Sequence, residues 1–226
     1  MSRSTELTGS ARWAAVDAYV EEHFTRNDGV TARVLERQRV AGLPDIAVSP
    51  AQGKLLEVLT LAVGARRVLE FGTLGGYSTA WFARAVGPSG AVVSFELSPA
   101  HAAVARASLA EVGLADRVEI RVGPALDNLG SLATDESYDL VFIDADKPNN
   151  LAYYEAAMTR VHTGTLVIVD NVVRDGGLAD ADSTDERVVG SRAVVERVGA
   201  DERVSGSVVQ TVGAKFYDGM IIATVL

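Results

Sequence analysis

A chain of 226 residues with 21 Lys and Arg against 30 Asp and Glu carries a net charge of −9, a balance that disfavours nucleic acid and anionic membranes as partners and suits a cation. It contains no Cys, which excludes disulfides, thiolate metal sites and a Cys nucleophile, and fits a cytoplasmic protein. The opening MSRSTELTGSARW lacks a secretory-type apolar segment and no run approaches the roughly 18 apolar residues of a membrane helix, so one soluble domain spanning 1–226 is expected.

After a polar leader, Ala11 to Thr25 and Thr31 to Val40 have helix-forming composition, separated by the breaker Asn27-Asp28-Gly29. Ser49-Pro50-Ala51-Gln52 opens a third helix: Ser49 suits the N-cap, Pro50 the first helical position, and Gln52 completes a capping box before the apolar run Leu55 to Val63. Residues 1–64 are therefore expected to form a helical cap on a core of residues 65–226, covering an edge of the sheet and lining a pocket.

From Arg67 onward strands and helices alternate. Arg67 to Phe71 reads as a strand, Gly72 to Gly76 as a glycine turn, and Tyr77 to Phe82 as the start of a helix. Strand Ala91 to Phe95 ends at Glu96, and Ser98-Pro99 caps an Ala-rich helix to Val112. Arg117 to Val122 (strand), Ala125 to Leu132 (helix), Tyr138 to Ile143 (strand), Ala152 to Val161 (helix) and Thr165 to Val169 (strand) follow. After the Gly- and Asp-rich linker Arg174 to Ala181, Ser183-Thr184-Asp185-Glu186 reads as a capping box for a helix through Arg197. Arg203 to Val212 and Phe216 to Val225 flank Gly213 to Lys215 as an antiparallel hairpin. The alternation predicts an α/β fold, a mostly parallel sheet with helices on both faces.

Ligands of open α/β sheets bind beyond the carboxyl ends of the strands, so the polar residues found there matter most. They are Glu70, Glu96, Asp144 with Asp146 and Lys147, and Asp170 with Asn171. Glycines in the first turn let the backbone approach a ligand, and the helix that follows presents free N–H groups to an anionic part of it. Glu96, one strand later, can accept from both hydroxyls of a ribose. Asp144, Asp170 and Asn171 offer only hard oxygen ligands, which match Mg²⁺, Mn²⁺ or Ca²⁺. His23, His101 and His162 are scattered and read as surface or core residues, and Asp180-x-Asp182 lacks the rest of a calcium loop. Neither a G-x-S-x-G elbow nor a phosphate-binding G-x-x-x-x-G-K-[ST] loop is present.

The stretch Glu70-x-Gly72-x-x-x-Gly76 resembles the first motif of class I S-adenosylmethionine (SAM) methyltransferases. Together with FELSP, GPALDNL, YDLVFIDADKPNN, YY and LVIVDNVVRDG, it is similar over nearly the whole chain to the metal-dependent O-methyltransferases of the catechol and caffeoyl-CoA type. The resemblance implies a Rossmann-like fold with a seven-stranded sheet, extra N-terminal helices and a homodimeric assembly. Carried over by position, it implies SAM contacts at Val48, Glu70, Gly72, Thr73, Ser78, Glu96, Ala125 and Asp146, with Gly76 and Tyr77 of the same turn. It implies a divalent cation, Mg²⁺ before Mn²⁺ or Ca²⁺, on Asp144, Asp170 and Asn171. Lys147 matches the catalytic lysine, and Asp144, Lys147 and Asp175 fall where relatives meet the acceptor. Many relatives have Thr at the position of Gly75, Tyr at that of Asn150 and an aromatic residue at that of Arg174.

The expected activity is thus methyl transfer from SAM to a hydroxyl of a small aromatic vicinal diol, assisted by the cation. A nicotinamide-dependent oxidoreductase would share the strand, turn, helix and ribose acid but leave Asp144, Asp170 and Asn171 without a role. A catalytically silent SAM-binding protein would keep the fold alone.

Overall fold

The computed structural model describes residues 9–25, 28–133 and 135–226; the polar leader and Asn27 of the expected breaker lie outside them. Three helices come first, α1 (Gly9–Phe24), α2 (Gly29–Val40) and α3 (Pro50–Ala62). Then β1 (Arg67–Phe71), α4 (Tyr77–Ala85), β2 (Ala91–Glu96), α5 (Pro99–Glu111), β3 (Val118–Val122), α6 (Ala125–Gly130), β4 (Tyr138–Ile143), α7 (Asn150–Ala157), β5 (Val161–Val169) and α8 (Glu186–Gly199) alternate. A hairpin of β6 (Val204–Gly213) and β7 (Phe216–Val225) ends the chain.

The seven strands lie in the order β3-β2-β1-β4-β5-β7-β6. β1 to β5 pair in parallel, and β7 joins β5 antiparallel with β6 beyond it. The order reverses between β1 and β4, which is where an open α/β sheet leaves a crevice at its carboxyl edge. Because side chains alternate across a strand, Val68, Leu140, Phe142 and Ile168 join one core with α2 to α5, while Leu69, Phe71, Val141, Ile143, Val167 and Val169 join a second with α6 to α8.

Several local expectations shift, each for a visible reason. Asp28, expected in a breaker, caps α2 by accepting the Thr31 N–H at 3.0 Å. The helix expected over Ala152 to Val161 spans Asn150–Ala157 instead, because the Arg160 carbonyl accepts the Tyr138 N–H at 2.9 Å and Val161 already pairs with β4. The cap of α8 is Asp185, which accepts the Arg187 N–H, so the box expected at Ser183 starts two residues too early. Ser49 does cap α3 through the Gln52 N–H at 3.1 Å, but the Gln52 side chain turns away and completes no box.

The N-terminal helices are fastened at several points. The Ala214 N–H at the hairpin tip donates to Asp17 of α1 at 2.7 Å, and Lys215 Nζ donates to the Ala47 carbonyl at 2.6 Å. Asp28 pairs with Arg84 of α4 and Arg37 of α2 with Glu111 of α5. α3 lies so close to α4 that a Cβ at Gly53 would stand 2.6 Å from Cδ1 of the fully buried Trp81. Gly53→Ala is therefore expected to destabilise the protein by about 1–3 kcal/mol, as overpacking of a filled core does. Urea unfolding measures this, and an unchanged midpoint would contradict the packing.

Candidate active site

The crevice at the β1/β4 boundary depends on Gly72. Its φ is 99°, and a Cβ there would lie 2.9 Å from the Asp144 carbonyl carbon and 3.2 Å from the Ala145 nitrogen. The ends of β1 and β4 approach each other only because residue 72 has no side chain. Leu74, at φ 50°, places its N–H on Glu96 Oε2 at 2.8 Å, so an unusual backbone conformation links the turn to the end of β2. Gly76, at φ 86°, precedes α4 without a side-chain cap, which leaves the N–H groups of the first turn for a ligand.

Glu70 stands behind this turn. It is fully buried, and its carboxylate accepts from Ser78 Oγ at 2.6 Å, Thr79 Oγ1 at 2.5 Å and Ser94 Oγ at 2.6 Å. Burial raises its pKa to about 7, against the three hydroxyls that lower it. One carboxylate thereby joins β1, β2 and the first turn of α4. Its partner Ser78, and not Glu70 itself, faces the cavity.

Glu96 closes β2 with Oε1 on the Ser98 N–H at 2.9 Å and His101 Nδ1 3.4 Å away. Across the crevice, Asp144 follows β4 and Asp170 follows β5, at neighbouring ends because Ile143 pairs with Val169. Lys147 Nζ donates to Asp144 Oδ1 at 2.5 Å. The turn Lys147–Asn149 lies against α8, where a Cβ at Gly190 would meet Pro148 Cα at 2.7 Å. Asp170, 2 % exposed, accepts from Gln52 Nε2 at 2.6 Å and from the Asn171 N–H at 2.8 Å. Its pKa is raised, first by burial and then by the charge of Asp144. Asn171 adopts φ 55°, a region Asn tolerates better than most residues. Tyr153 donates its hydroxyl to Asp146 Oδ1 at 2.5 Å, and Asn149 donates to the other oxygen.

A cavity of about 790 Å³ spans these groups, within the size range of small-molecule sites. Of the positions expected from sequence, Val48, Gly72, Thr73, Tyr77, Ser78, Glu96, Ala125, Asp144, Asp146, Lys147 and Asn171 line it. Glu70, Gly76, Asp170 and Asp175 do not: the first three stand immediately behind its wall, and Asp175 is exposed with its N–H on the Tyr217 carbonyl at 3.1 Å. Its neighbour Arg174 lines the cavity instead, 3.8 Å from Asp218. Gln38 and Tyr153 line the cavity without a site role expected from sequence, His101 lines it where a surface or core residue is expected, and Gln52, expected only as a helix cap, reaches Asp170. Gln52 lay in view as the first-turn residue of a helix opening toward the strand ends. Gln38 had no local signal, because its place follows from the packing of α2 on the glycine turn.

Residues 21–224 match the model of a family described as O-methyltransferase. The chain belongs to the O-methyltransferase family. A catechol O-methyltransferase of Mycobacterium tuberculosis is 48% identical over 210 residues, covering 93% of this chain and 94% of that protein. The O-methyltransferase of Bacillus cereus, solved with S-adenosylhomocysteine (SAH), superposes with a TM-score of 0.93 at 46% identity, covering 96% of this chain and 100% of that one. TomG of Streptomyces achromogenes, an O-methyltransferase of tomaymycin synthesis solved with SAM, gives a TM-score of 0.92 at 40% identity over 97% and 99% of the two chains. The O-methyltransferase described here is SAM-dependent and has the class I fold, which sets aside an oxidoreductase and a silent SAM-binding protein.

The buried Glu70 makes the stability of this O-methyltransferase pH-dependent in a stated direction. Its folded pKa of about 7 lies above the ordinary 4.5, so the stability it contributes is full below about pH 4.5 and is lost as pH rises through 7. Glu70→Gln removes that titration. The unfolding free energy of the variant relative to wild type is expected to rise by up to about 3 kcal/mol between about pH 5 and pH 8. Urea titrations across that range check it; parallel pH profiles for the two proteins would refute it.

Proposed function

We propose that the enzyme methylates one hydroxyl of a small aromatic vicinal diol with the help of a divalent cation held by Asp144, Asp170 and Asn171. The observation that carries this reading is the placement of two carboxylates on adjoining strand ends, where Ile143 pairs with Val169 and the charge of Asp144 raises the pKa of Asp170, with Lys147 donating to Asp144 at the cavity wall. Among the described residues no three His, Cys, Asp or Glu side chains form a metal cluster. The proposed set differs in kind: two carboxylates and one carboxamide, all hard oxygen donors, which fits Mg²⁺ or Mn²⁺ retaining open positions. A cation held there would supply Lewis acidity and a template for the acceptor.

The chain's own residues do the rest. Gly72, Thr73 and the start of α4 receive the methionine end of SAM, Glu96 accepts from its ribose hydroxyls, and Val48, Ala125 and Asp146 complete the walls. Gln52 holds Asp170 in its orientation, and the turn against Gly190 holds Lys147 beside the reacting oxygen. Transfer forms the O–C bond as the C–S bond of the sulfonium breaks, the sulfur leaving with its electron pair as SAH, and Lys147 takes the hydroxyl proton or stabilises the nascent oxyanion. Fixing oxygen and methyl carbon in line supplies several kcal/mol of the barrier reduction. Arg174 at the acceptor end, where many relatives have an aromatic residue, gives this site its own acceptor preference.

Residues 1–64 and 65–226 act in this reading as one domain, the cap closing the core. The apolar side chains left exposed on the first and third helices, including Val16, Tyr19, Val58 and Leu61, support a homodimer formed through them. Among the described residues no helix is long and apolar enough to cross a membrane.

Chelation tests the cation. Metal-stripped enzyme in EDTA is expected to lose turnover on a catechol while keeping SAH affinity and fold, with Mg²⁺ or Mn²⁺ restoring it and Asp170→Ala reproducing the loss. Full activity of the stripped enzyme would sink the mechanism. Lys147→Ala is expected to lower kcat by about 10² or more with SAH affinity unchanged; parallel calorimetry and steady-state kinetics separate this from a cofactor role.

A further inference from the structure

Gln38 on α2 is 3 % exposed, lines the cavity, and its amide nitrogen Nε2 has no hydrogen-bond partner in the structure. Buried amides are nearly always satisfied, so an orphaned donor at the wall of a ligand site points to a ligand acceptor. A second observation locates that acceptor. The Gln38 side chain fills the space over Gly75: a Cβ at residue 75 would lie 2.5 Å from Gln38 Cδ and 2.9 Å from Nε2. Gly75 has no positive φ, so nothing in its backbone conformation demands glycine there. The constraint on residue 75 is the Gln38 side chain.

The helix carrying Gln38 is not free to withdraw. Asp28 at its start pairs with Arg84 of α4, Arg37 pairs with Glu111 of α5, and Val34 is fully buried in the core beneath. The amide is therefore held above the turn that leads into α4, whose uncapped first N–H groups are suited to an anion. The ribose end of the cavity already has Glu96 as its acceptor, with its oxygens on Leu74 and Ser98 N–H groups. Of the charged groups that SAM carries, only the methionine carboxylate calls for hydrogen-bond donors.

We propose that Gln38 is a further SAM-binding residue, donating its side-chain amide to the carboxylate of the methionine moiety, and that Gly75 is kept free of a side chain to let it do so. The α2 helix of the cap thus reads the amino-acid end of the cofactor, a role separate from the strand-end residues of the core.

Calorimetry with SAH and with 5′-methylthioadenosine, which has the nucleoside but no amino acid, tests this on the full chain. Gln38→Ala is expected to weaken SAH binding about tenfold, the effect of one lost hydrogen bond to a charged group, and to leave methylthioadenosine binding unchanged. Gly75→Ala is expected to weaken SAH binding comparably in the wild-type background, by displacing the amide, and to add little in the Gln38→Ala background. This second variant keeps the proposal testable should Gln38→Ala fold poorly. Unchanged SAH affinity in folded Gln38→Ala, equal weakening of both ligands, or a Gly75→Ala effect undiminished by Gln38→Ala would each overturn it.

Discussion

The contact between the ends of β1 and β4 is the constraint from which the site follows. A glycine at residue 72 lets the backbone leaving β1 pass against the carbonyl of Asp144, and this brings two different strand ends to one crevice. Any side chain there would push the strands' exits apart and separate the cofactor turn from the acidic residues after β4. The parallel pairing Phe71 with Ile143, and Ile143 with Val169, then fixes where Asp144 and Asp170 emerge. The site is therefore a property of sheet register. Its residues are distant in sequence but consecutive along the carboxyl edge.

Glu70 plays a different part from the one its motif position suggests. The motif places an acid before the glycine turn, and a reading by position makes it a cofactor contact. In the structure both oxygens are engaged by the hydroxyls of Ser78, Thr79 and Ser94, and Thr73 Oγ1 joins Ser94 Oγ at 2.6 Å. A carboxylate with three hydroxyl donors in a dry environment is a strong local clamp. It fixes the start of α4 relative to β1 and β2, so its influence on the cofactor is exerted through the helix terminus it orients.

The architecture was legible because β1, β2, β4 and the second half of β5 are buried on both faces and read as short apolar runs broken by glycine or an acid. Those breaks are also where the site lies, which is why Glu96, Asp144, Lys147, Asp170 and Asn171 are legible as site residues in the sequence. What sequence did not disclose depends on packing between distant segments. Gln52 obeyed a local capping rule, yet its side chain went to Asp170, 118 residues away, because a buried carboxylate beside another is a stronger acceptor than a solvated backbone end. Asp175 was placed by correspondence with relatives, and the left-handed conformations at Arg174 and Asp175 (φ 55° and 54°) turn the arginine inward and leave the aspartate exposed.

The N-terminal helices belong to the site as fully as the sheet does. Gln38, Val48 and Gln52 come from three successive segments of the cap, and they meet respectively the glycine turn, the cavity wall and the buried Asp170. α2 and the segment before α3, through Gln38, Ile46, Ala47 and Val48, line the same cavity as the strand ends. The hairpin tip, through Ala214 to Asp17 and Lys215 to Ala47, fastens the same cap from the opposite end of the chain. The sheet thus supplies the polar groups at its edge, while the cap supplies the enclosure and low dielectric that give those groups their strength. The amide that orients Asp170 thus comes from the cap and not from the sheet that carries the carboxylate.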